Sequence, residues 1–545
     1  MSFRRSRLKS SLPTTAKLAP LHQRGEEPQA EQEPEADETV REAPAPGRQR
    51  ETAQRITTSK RRLQRRVTPL DVLQQPIQAG MRKVFDLRRF VVVVALTAAT
   101  LLLPLPPDLS EQGRRALALF VFTGSILALE PAPLPIAALM VPICQIALGI
   151  DVVTGAFGPF GSPVLFLILG SLFLAEALRK HGLTRRMALY TIVLSRGNLN
   201  RLLLGLMAAT GLLSMWVLNT ATAAVLIPVA ITIAQRVEPR EKAARVLQLL
   251  ILGIAFSSSI GGMGTLMGSG ENAIAGGLLG QAGSFSFLDW MEFGVPLVLM
   301  LVPLTWFLLR RALPVANVVI DTEPAVRELE RLGDLKPPER EIIGVMAVSV
   351  GLWVTGSMLE SVLGLPATLL SSAVVAIGAV ALLSIEEIVD WNDLKGVNWG
   401  VFFVIGAGLT LGDSLDKTGA SAWFAQLLAP ALDGLPYAVV LGILVLSGFV
   451  LTQFMNNVTL GAILAPVLIT LAQAMGVNPA ALVAPTIMAV ALAYMLPSAS
   501  ARMTLVAVTG AIERRDMVRV GLIVGLPSAL LVYSFFYILS SIGLL

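Results

Sequence analysis

Beyond residue 90 the chain is a series of apolar runs separated by short clusters of arginine and lysine. Runs at 90–106, 114–130, 133–150 and 162–179 predict helices in a hydrocarbon layer about 30 Å thick. The basic cluster Arg179, Lys180, Arg185 and Arg186 follows. Segment 202–235 is apolar but lies between two basic ends, Arg201 and Arg236, with Asn219 and Thr220 at its centre. Two ends on one side and a polar centre predict a re-entrant hairpin. Non-helical backbone at membrane depth is tolerated only when it is buried in protein or lines a cavity. Further apolar segments run at 247–283, 289–309, 342–359, 365–384 and 397–412, interrupted by a polar loop at 312–340. Segment 436–475 has Asn456 and Asn457 at its centre and no basic residue at either edge, which predicts a second hairpin entered from the opposite side. Segments 480–511 and 519–543 end the series.

Basic residues beside membrane spans favour the cytoplasmic side. Arg82, Lys83, Arg88 and Arg89 therefore place the N-terminal end in the cytoplasm, and the alternation places the C-terminus outside. Arg114 and Arg115 break the pattern. No apolar stretch near Met1 resembles a cleavable leader. The organisation expected is a disordered cytoplasmic tail at 1–85, a first half at 86–311 with its hairpin at 201–236, a cytoplasmic loop at 312–340, and a second half at 341–545 with its hairpin at 435–475. The fold class is an all-α polytopic membrane protein with about eleven spans.

Composition sharpens this. Of 545 residues, 54% are hydrophobic and 15% charged, against about 25% charged in soluble domains. The tail is rich in Arg, Glu, Gln and Pro, too polar to bury a core. A net charge of +5, with many basic residues in that tail and beside spans, points to membrane flanks and away from nucleic acid. One cysteine, Cys144, excludes an intrachain disulfide, and two histidines, His22 and His181, leave little for a metal or triad enzyme. No nucleophile–base pair or phosphate loop is visible, so an enzyme is not expected.

The halves repeat. Asn219 and Asn457 are 238 residues apart (457 − 219), as are Pro228 and Pro466 (466 − 228). The Gly/Ser-rich stretch 264–272 parallels 496–503 at an offset near 231. One hairpin opens inward and the other outward, so the repeat is inverted, the architecture of secondary transporters with midplane binding sites. Each tip asparagine can cap the helix that follows and also offer an amide to a ligand. Glycines at 261, 262, 264, 268 and 270, and Pro497 in the second half, predict helix breaks that face the tips. Half-helix N-termini favour anions and freed carbonyl ends favour cations.

These tips and breaks resemble the divalent anion/sodium symporters, carriers of dicarboxylates, citrate or sulfate. The resemblance covers residues 90–545. It rests on a Ser-Asn-Thr tip in each hairpin, represented here by Asn219 and Thr220 and by Asn457. It implies two sodium sites, one from Ser214, Asn219 and Gly268, the other from Thr452, Asn457 and Ala499. It implies substrate contacts at Asn219, Thr220, Asn457 and Ser500. It also implies a homodimer whose transport domains move against a scaffold in elevator fashion. The chain departs from the pattern at Leu218, Asn456 and Val458, where the family has hydroxyls. The usual Thr-Pro-Pro-Asn break is replaced by Ser269, Gly270, Glu271 and Asn272, and by Ser500, Ala501, Arg502 and Met503. Intramembrane charges are costly and usually functional. Arg502 is therefore expected either to hold an anionic substrate or to pair with Glu271. Glu130, Glu176, Asp413 and Lys417 are expected near span ends, and Asp289 with Trp290 as an interfacial anchor. The function expected is sodium-coupled symport of a small divalent anion, a C4-dicarboxylate or sulfate, across an inner membrane. The alternatives are a sodium-independent exchanger on the same fold and a membrane sensor that signals through its tail.

Overall fold

The computed structural model describes residues 85–545 apart from 103, 105–108, 284, 317 and 433. The tail expected at 1–85 lies outside the described residues, Phe85 excepted. All regular structure in the described residues is helical, apart from two isolated bridges at Val319. In chain order the helices are α1 (Leu87–Leu102), α2 (Glu111–Leu129), α3 (Leu134–Ala147), α4 (Val153–Phe157), α5 (Pro163–Lys180), α6 (Leu183–Leu194), α7 (Leu199–Ser214), α8 (Asn219–Ala234), α9 (Arg240–Met263), α10 (Gly270–Ala282) and α11 (Phe287–Ala312). There follow α12 (Glu323–Leu332), α13 (Pro337–Leu363), α14 (Ser372–Ile385), α15 (Trp391–Leu394), α16 (Trp399–Lys417), α17 (Ala420–Leu432), α18 (Tyr437–Leu451), α19 (Asn457–Ala474), α20 (Pro479–Val490), α21 (Ala501–Val508) and α22 (Arg514–Ser541).

Local chemistry sets many of these boundaries. Asn198 caps α7 through the N–H groups of Asn200 and Arg201. Ser286 and Asp289 form a capping box at α11. Asn478 caps α20 ahead of Pro479, whose missing N–H costs nothing in a first turn. Five helices, α9, α11, α13, α19 and α22, are long and apolar enough to cross a membrane, six if the bent pair 153–161 and 163–180 counts as one span. Others are too short. Sixteen residues in α7 or α8 reach only about 24 Å.

The expected interruptions appear where glycine and proline place them. Segment 247–283 divides into α9 and α10 around 264–269. Segment 480–511 divides into α20 and α21 around 491–500. Segment 202–235 becomes α7 and α8 with four residues between, and 436–475 becomes α18 and α19 with five between. Both α7 and α8 pack on α9, and both α18 and α19 pack on α20. The packing then crosses over: α10 lies on α19, and α21 lies on α8.

The central helices are the most buried. From Leu249 to Met263 every residue of α9 is buried, and so is nearly all of α10 and α20. The peripheral helices turn apolar side chains outward, for example Val348, Met358 and Val362 on α13 and Leu526 and Leu530 on α22. That inversion suits a lipid surround.

Three expectations need correction. The stretch 413–435, left between the apolar segments 397–412 and 436–475 and so expected outside the helices, is mostly helical: α16 runs on to Lys417 and α17 follows. Polar residues near the chain's turn hid that continuation. The loop at 312–340 contains α12, an amphipathic helix with Ala325, Val326, Leu329 and Leu332 at helical spacing in a polar stretch. Trp290 is no interfacial anchor. It is fully buried, and its indole donates to the Met263 carbonyl at 2.9 Å, closing the end of α9. Arg114 and Arg115 gain an explanation as partners of Glu111 on the first turns of α2, with Arg115 also reaching the Leu148 carbonyl.

Candidate functional site

The first tip brings together Ser214, Asn219 and Gly268, the residues that the resemblance grouped. Ser214, at the end of α7, lies 2.8 Å from Asn219 Oδ1, and the Asn219 backbone N–H reaches the Gly268 carbonyl at 3.4 Å. One end of the Asn219 carboxamide is surrounded by oxygens: Ser258 O at 2.7 Å, Ser214 Oγ at 2.8 Å and Gly268 O at 3.1 Å. With its nitrogen turned inward the amide donates to all three. With its oxygen turned inward, oxygens converge with too few protons between them, an arrangement that a hard cation satisfies. Gly262 and Gly268 make this approach possible. A Cβ on Gly262 would stand 2.0 Å from Asn219 Oδ1, and one on Gly268 would meet Gly262 Cα at 2.5 Å.

The first break is braced from both sides. Thr265 donates its hydroxyl to the Met215 carbonyl and accepts from the N–H groups of Met267 and Gly268. Asn272 donates to the carbonyls of Gly262 and Thr265 at 2.8 and 3.0 Å. These bonds satisfy carbonyls that a helix end leaves without partners.

The second tip repeats the pairing. Thr452 Oγ1 lies 3.0 Å from Asn457 Oδ1 and 2.6 Å from the Val490 carbonyl. Asn456 caps α19 through Val458 N–H at 2.9 Å. The second break is braced by Gln453, whose Nε2 donates to Phe449 O and Leu492 O and whose Oε1 accepts from the N–H groups of Tyr494 and Met495. Ser500 caps α21 through Met503 N–H. Ala499 ends a 3-10 turn and is fully buried.

Tips and breaks meet at one cavity of about 420 Å³. Asn219, Thr220, Gly268, Glu271, Asn457, Ser500 and Arg502 all line it, while Ala499 does not. The first residues of α8, α10, α19 and α21 all stand on its wall. Four helix N-termini on one wall bring the positive ends of their dipoles to the cavity, an arrangement that favours an anion, although the N–H groups of Asn219, Val458 and Met503 are already taken. Glu176 and Arg179, on the last turns of α5, line the same cavity, as does Asn398 at the start of α16. A larger cavity, about 790 Å³, holds neither tip and includes Asp413 and Lys417. It lies toward the other end of α5 and α10: Pro163 and Gln281 line it, whereas Arg179 and Gly270 line the first. Size alone would favour the larger cavity. The chemistry lies in the smaller one.

Besides Glu176 and Arg179, two deeply buried charges stand on the wall of the smaller cavity. Glu271, 2% exposed, accepts from Asn457 Nδ2 at 3.3 Å. Arg502, 3% exposed, donates from Nη2 to the Ala491 carbonyl at 2.9 Å, and its Nε has no partner. They form no ion pair, so of the two alternatives expected for Arg502 the pairing with Glu271 is absent from this structure. The charges assigned to span ends are paired with one another: Glu176 bonds Arg179, and Lys417 bonds Asp151 and Asp413. Sequence reasoning missed Ser258, which contributes only a main-chain oxygen, and Gln453, whose partners across the break lie 39 to 42 positions away. For Gln453 the signal was a buried amide next to a tip.

Interrupted helices around a central binding cavity, enclosed by helices that face outward with apolar side chains, define the class as membrane transporter. The sequence profile of the sodium:sulfate symporter transmembrane region matches residues 85–540, and the chain belongs to that family. An uncharacterized transporter of Haemophilus influenzae is 31% identical over 428 residues, covering 77% of this chain and 90% of that protein. The sodium-dependent dicarboxylate transporter SdcS of Staphylococcus saprophyticus is 30% identical over 470 residues, covering 82% and 89%. Among solved structures, the Alcanivorax borkumensis YdaH transporter is 15% identical with a TM-score of 0.47 over 71% of this chain and 87% of that one, too low for any helix to be carried over.

Proposed function

We infer that the protein couples inward sodium movement to uptake of a small divalent anion, a C4-dicarboxylate first and sulfate second. The observation that carries this reading is the placement of an oxygen-lined carboxamide, Asn219, at the edge of a cavity ringed by four helix N-termini. A cation drawn to Ser214, Ser258, Asn219 and Gly268 turns the Asn219 amide nitrogen away from that cluster and toward the cavity. Sodium and anion thereby complete each other's sites, a reciprocal linkage. The anion ligands are Asn219, Thr220, Asn457, Ser500 and Arg502. A second sodium site draws on Thr452, Asn457 and Ala499.

The cycle follows from the repeats. Two inverted repeats of broken helices, about eleven spans in all, form a transport domain that moves against a scaffold within a homodimer in an inner membrane. The N-terminus is cytoplasmic and the C-terminus outside. The two cavities at opposite ends of α5 and α10 support alternating access. A sodium-independent exchanger on the same fold has one observation in its favour: Arg502 already supplies a fixed cation to the cavity.

Uptake of labelled succinate and sulfate into proteoliposomes tests this, with and without an inward sodium gradient. Sodium-driven accumulation of either is expected. Equal uptake without sodium establishes the exchanger, and no uptake of either anion refutes the carrier assignment for both.

A further inference from the structure

The cavity holds one buried carboxylate and one buried guanidinium at corresponding places. Glu271 is the second residue of α10 and Arg502 the second residue of α21, each following a serine in extended conformation, Ser269 and Ser500. An intramembrane pair of opposite charges ordinarily closes into an ion pair. These two are held apart. Asn457 on α19 takes one oxygen of Glu271, and the Ala491 carbonyl takes one guanidinium nitrogen of Arg502. The backbone of Glu271 packs closely on α19 at Gly461, where an added Cβ would stand 2.7 Å from Glu271 Cβ. The guanidinium keeps a buried, unpartnered Nε. The cavity thus offers one buried carboxyl group and one buried guanidinium to the same ligand.

A plain dicarboxylate satisfies only part of this. It has acceptors for Arg502 and for the helix N-termini, but it brings Glu271 no donor and adds like charge beside it. A four-carbon acid that also bears an ammonium group satisfies all of it, with carboxylates on the N-termini and Arg502 and the ammonium donating to Glu271. We propose that the transported anion is an amino dicarboxylate of the aspartate type, selected by Glu271 through its ammonium group and by Arg502 through a carboxylate. This rests on the reading of the cavity as the carrier's anion site. Glu271 acts as a specificity residue, and Asn457 positions it.

Binding of aspartate and of succinate to the purified full-length protein in nanodiscs, with saturating sodium, tests the proposal by calorimetry. A charge-assisted hydrogen bond predicts that aspartate binds tighter by on the order of tenfold to a hundredfold. Glu271→Gln should reverse the preference by weakening aspartate and strengthening succinate. Succinate binding as tightly as aspartate to the unaltered protein overturns the proposal and leaves the carrier reading intact, and it does so even if the variant misfolds. Binding of neither acid sinks the anion-site reading and the proposal with it.

Discussion

Gly262→Ala is the sharpest probe of the cation cluster, because its expected effect runs against the usual sign. Gly262 lies inside α9, where replacing glycine with alanine ordinarily stabilises by about 0.5–1 kcal/mol. Here the new methyl would stand 2.0 Å from Asn219 Oδ1, 2.7 Å from Cγ and 2.8 Å from Nδ2. Favourable non-bonded contact begins near ~3.5 Å, so the carboxamide has to move by more than an ångström or α9 has to separate from the tip. Separation would give up the close packing of α9 on α7, where a Cβ added to Gly261 would stand 2.1 Å from the Gly211 carbonyl oxygen. Rotation of the amide breaks its contacts to Ser214, Ser258 and Gly268 together. The steric cost is about 1–3 kcal/mol. Displacement of one ligand of the cluster should raise the sodium concentration for half-maximal uptake by at least the roughly 10–100-fold seen when a metal site loses its support. The assay is the sodium activation curve of uptake in proteoliposomes, with thermal unfolding as a control for folding. A variant that transports with an unchanged sodium midpoint would refute the assignment of Asn219 to the cation.

Other expectations follow from the same geometry. Ser214→Ala should shift the sodium midpoint in the same direction, since the Ser214 hydroxyl lies 2.8 Å from the Asn219 amide; an unshifted activation curve counts against it. Gly351→Ala, on α13 with nothing near its Cβ, should raise thermal stability by about 0.5–1 kcal/mol and leave uptake alone. Arg186→Met should destabilise by about 3–5 kcal/mol because it strands Glu339 in a buried pair 3.0 Å apart, and a second change, Glu339→Gln, should restore most of the loss in thermal unfolding. The Lys180 ammonium beside Asp393, with the Asp390 N–H, holds the Asp393 carboxyl below its ordinary range. A lowered carboxylate contributes above its unfolded value and loses that contribution as pH falls through the folded one. Asp393→Asn should therefore lower the melting temperature near neutrality, and the difference from the unaltered protein should shrink as pH falls below about 4.

Sequence alone determined much of this protein. Apolar run length predicted helices, Gly261 to Gly270 and Pro497 predicted breaks, and the 238-residue spacing of Asn219 and Asn457 predicted two matching tips. These are local consequences of backbone stereochemistry and transfer energy, readable a few residues at a time. The Ser214–Asn219 and Thr452–Asn457 contacts are equally local, five residues apart in each case. Ala499 was assigned by analogy, and it lies off the cavity wall. What only the tertiary structure decided are contacts between distant segments: the Ser258 carbonyl at the first tip, Gln453 across the second break, Trp290 on the end of α9, and the crossing that sets Glu271 against Asn457. Main-chain oxygens are present in every residue, so composition cannot mark the few that converge. Whether two buried charges pair or stay apart depends on packing such as Gly461 against Glu271, which is settled by the approach of whole helices and not by either side chain's neighbours in sequence.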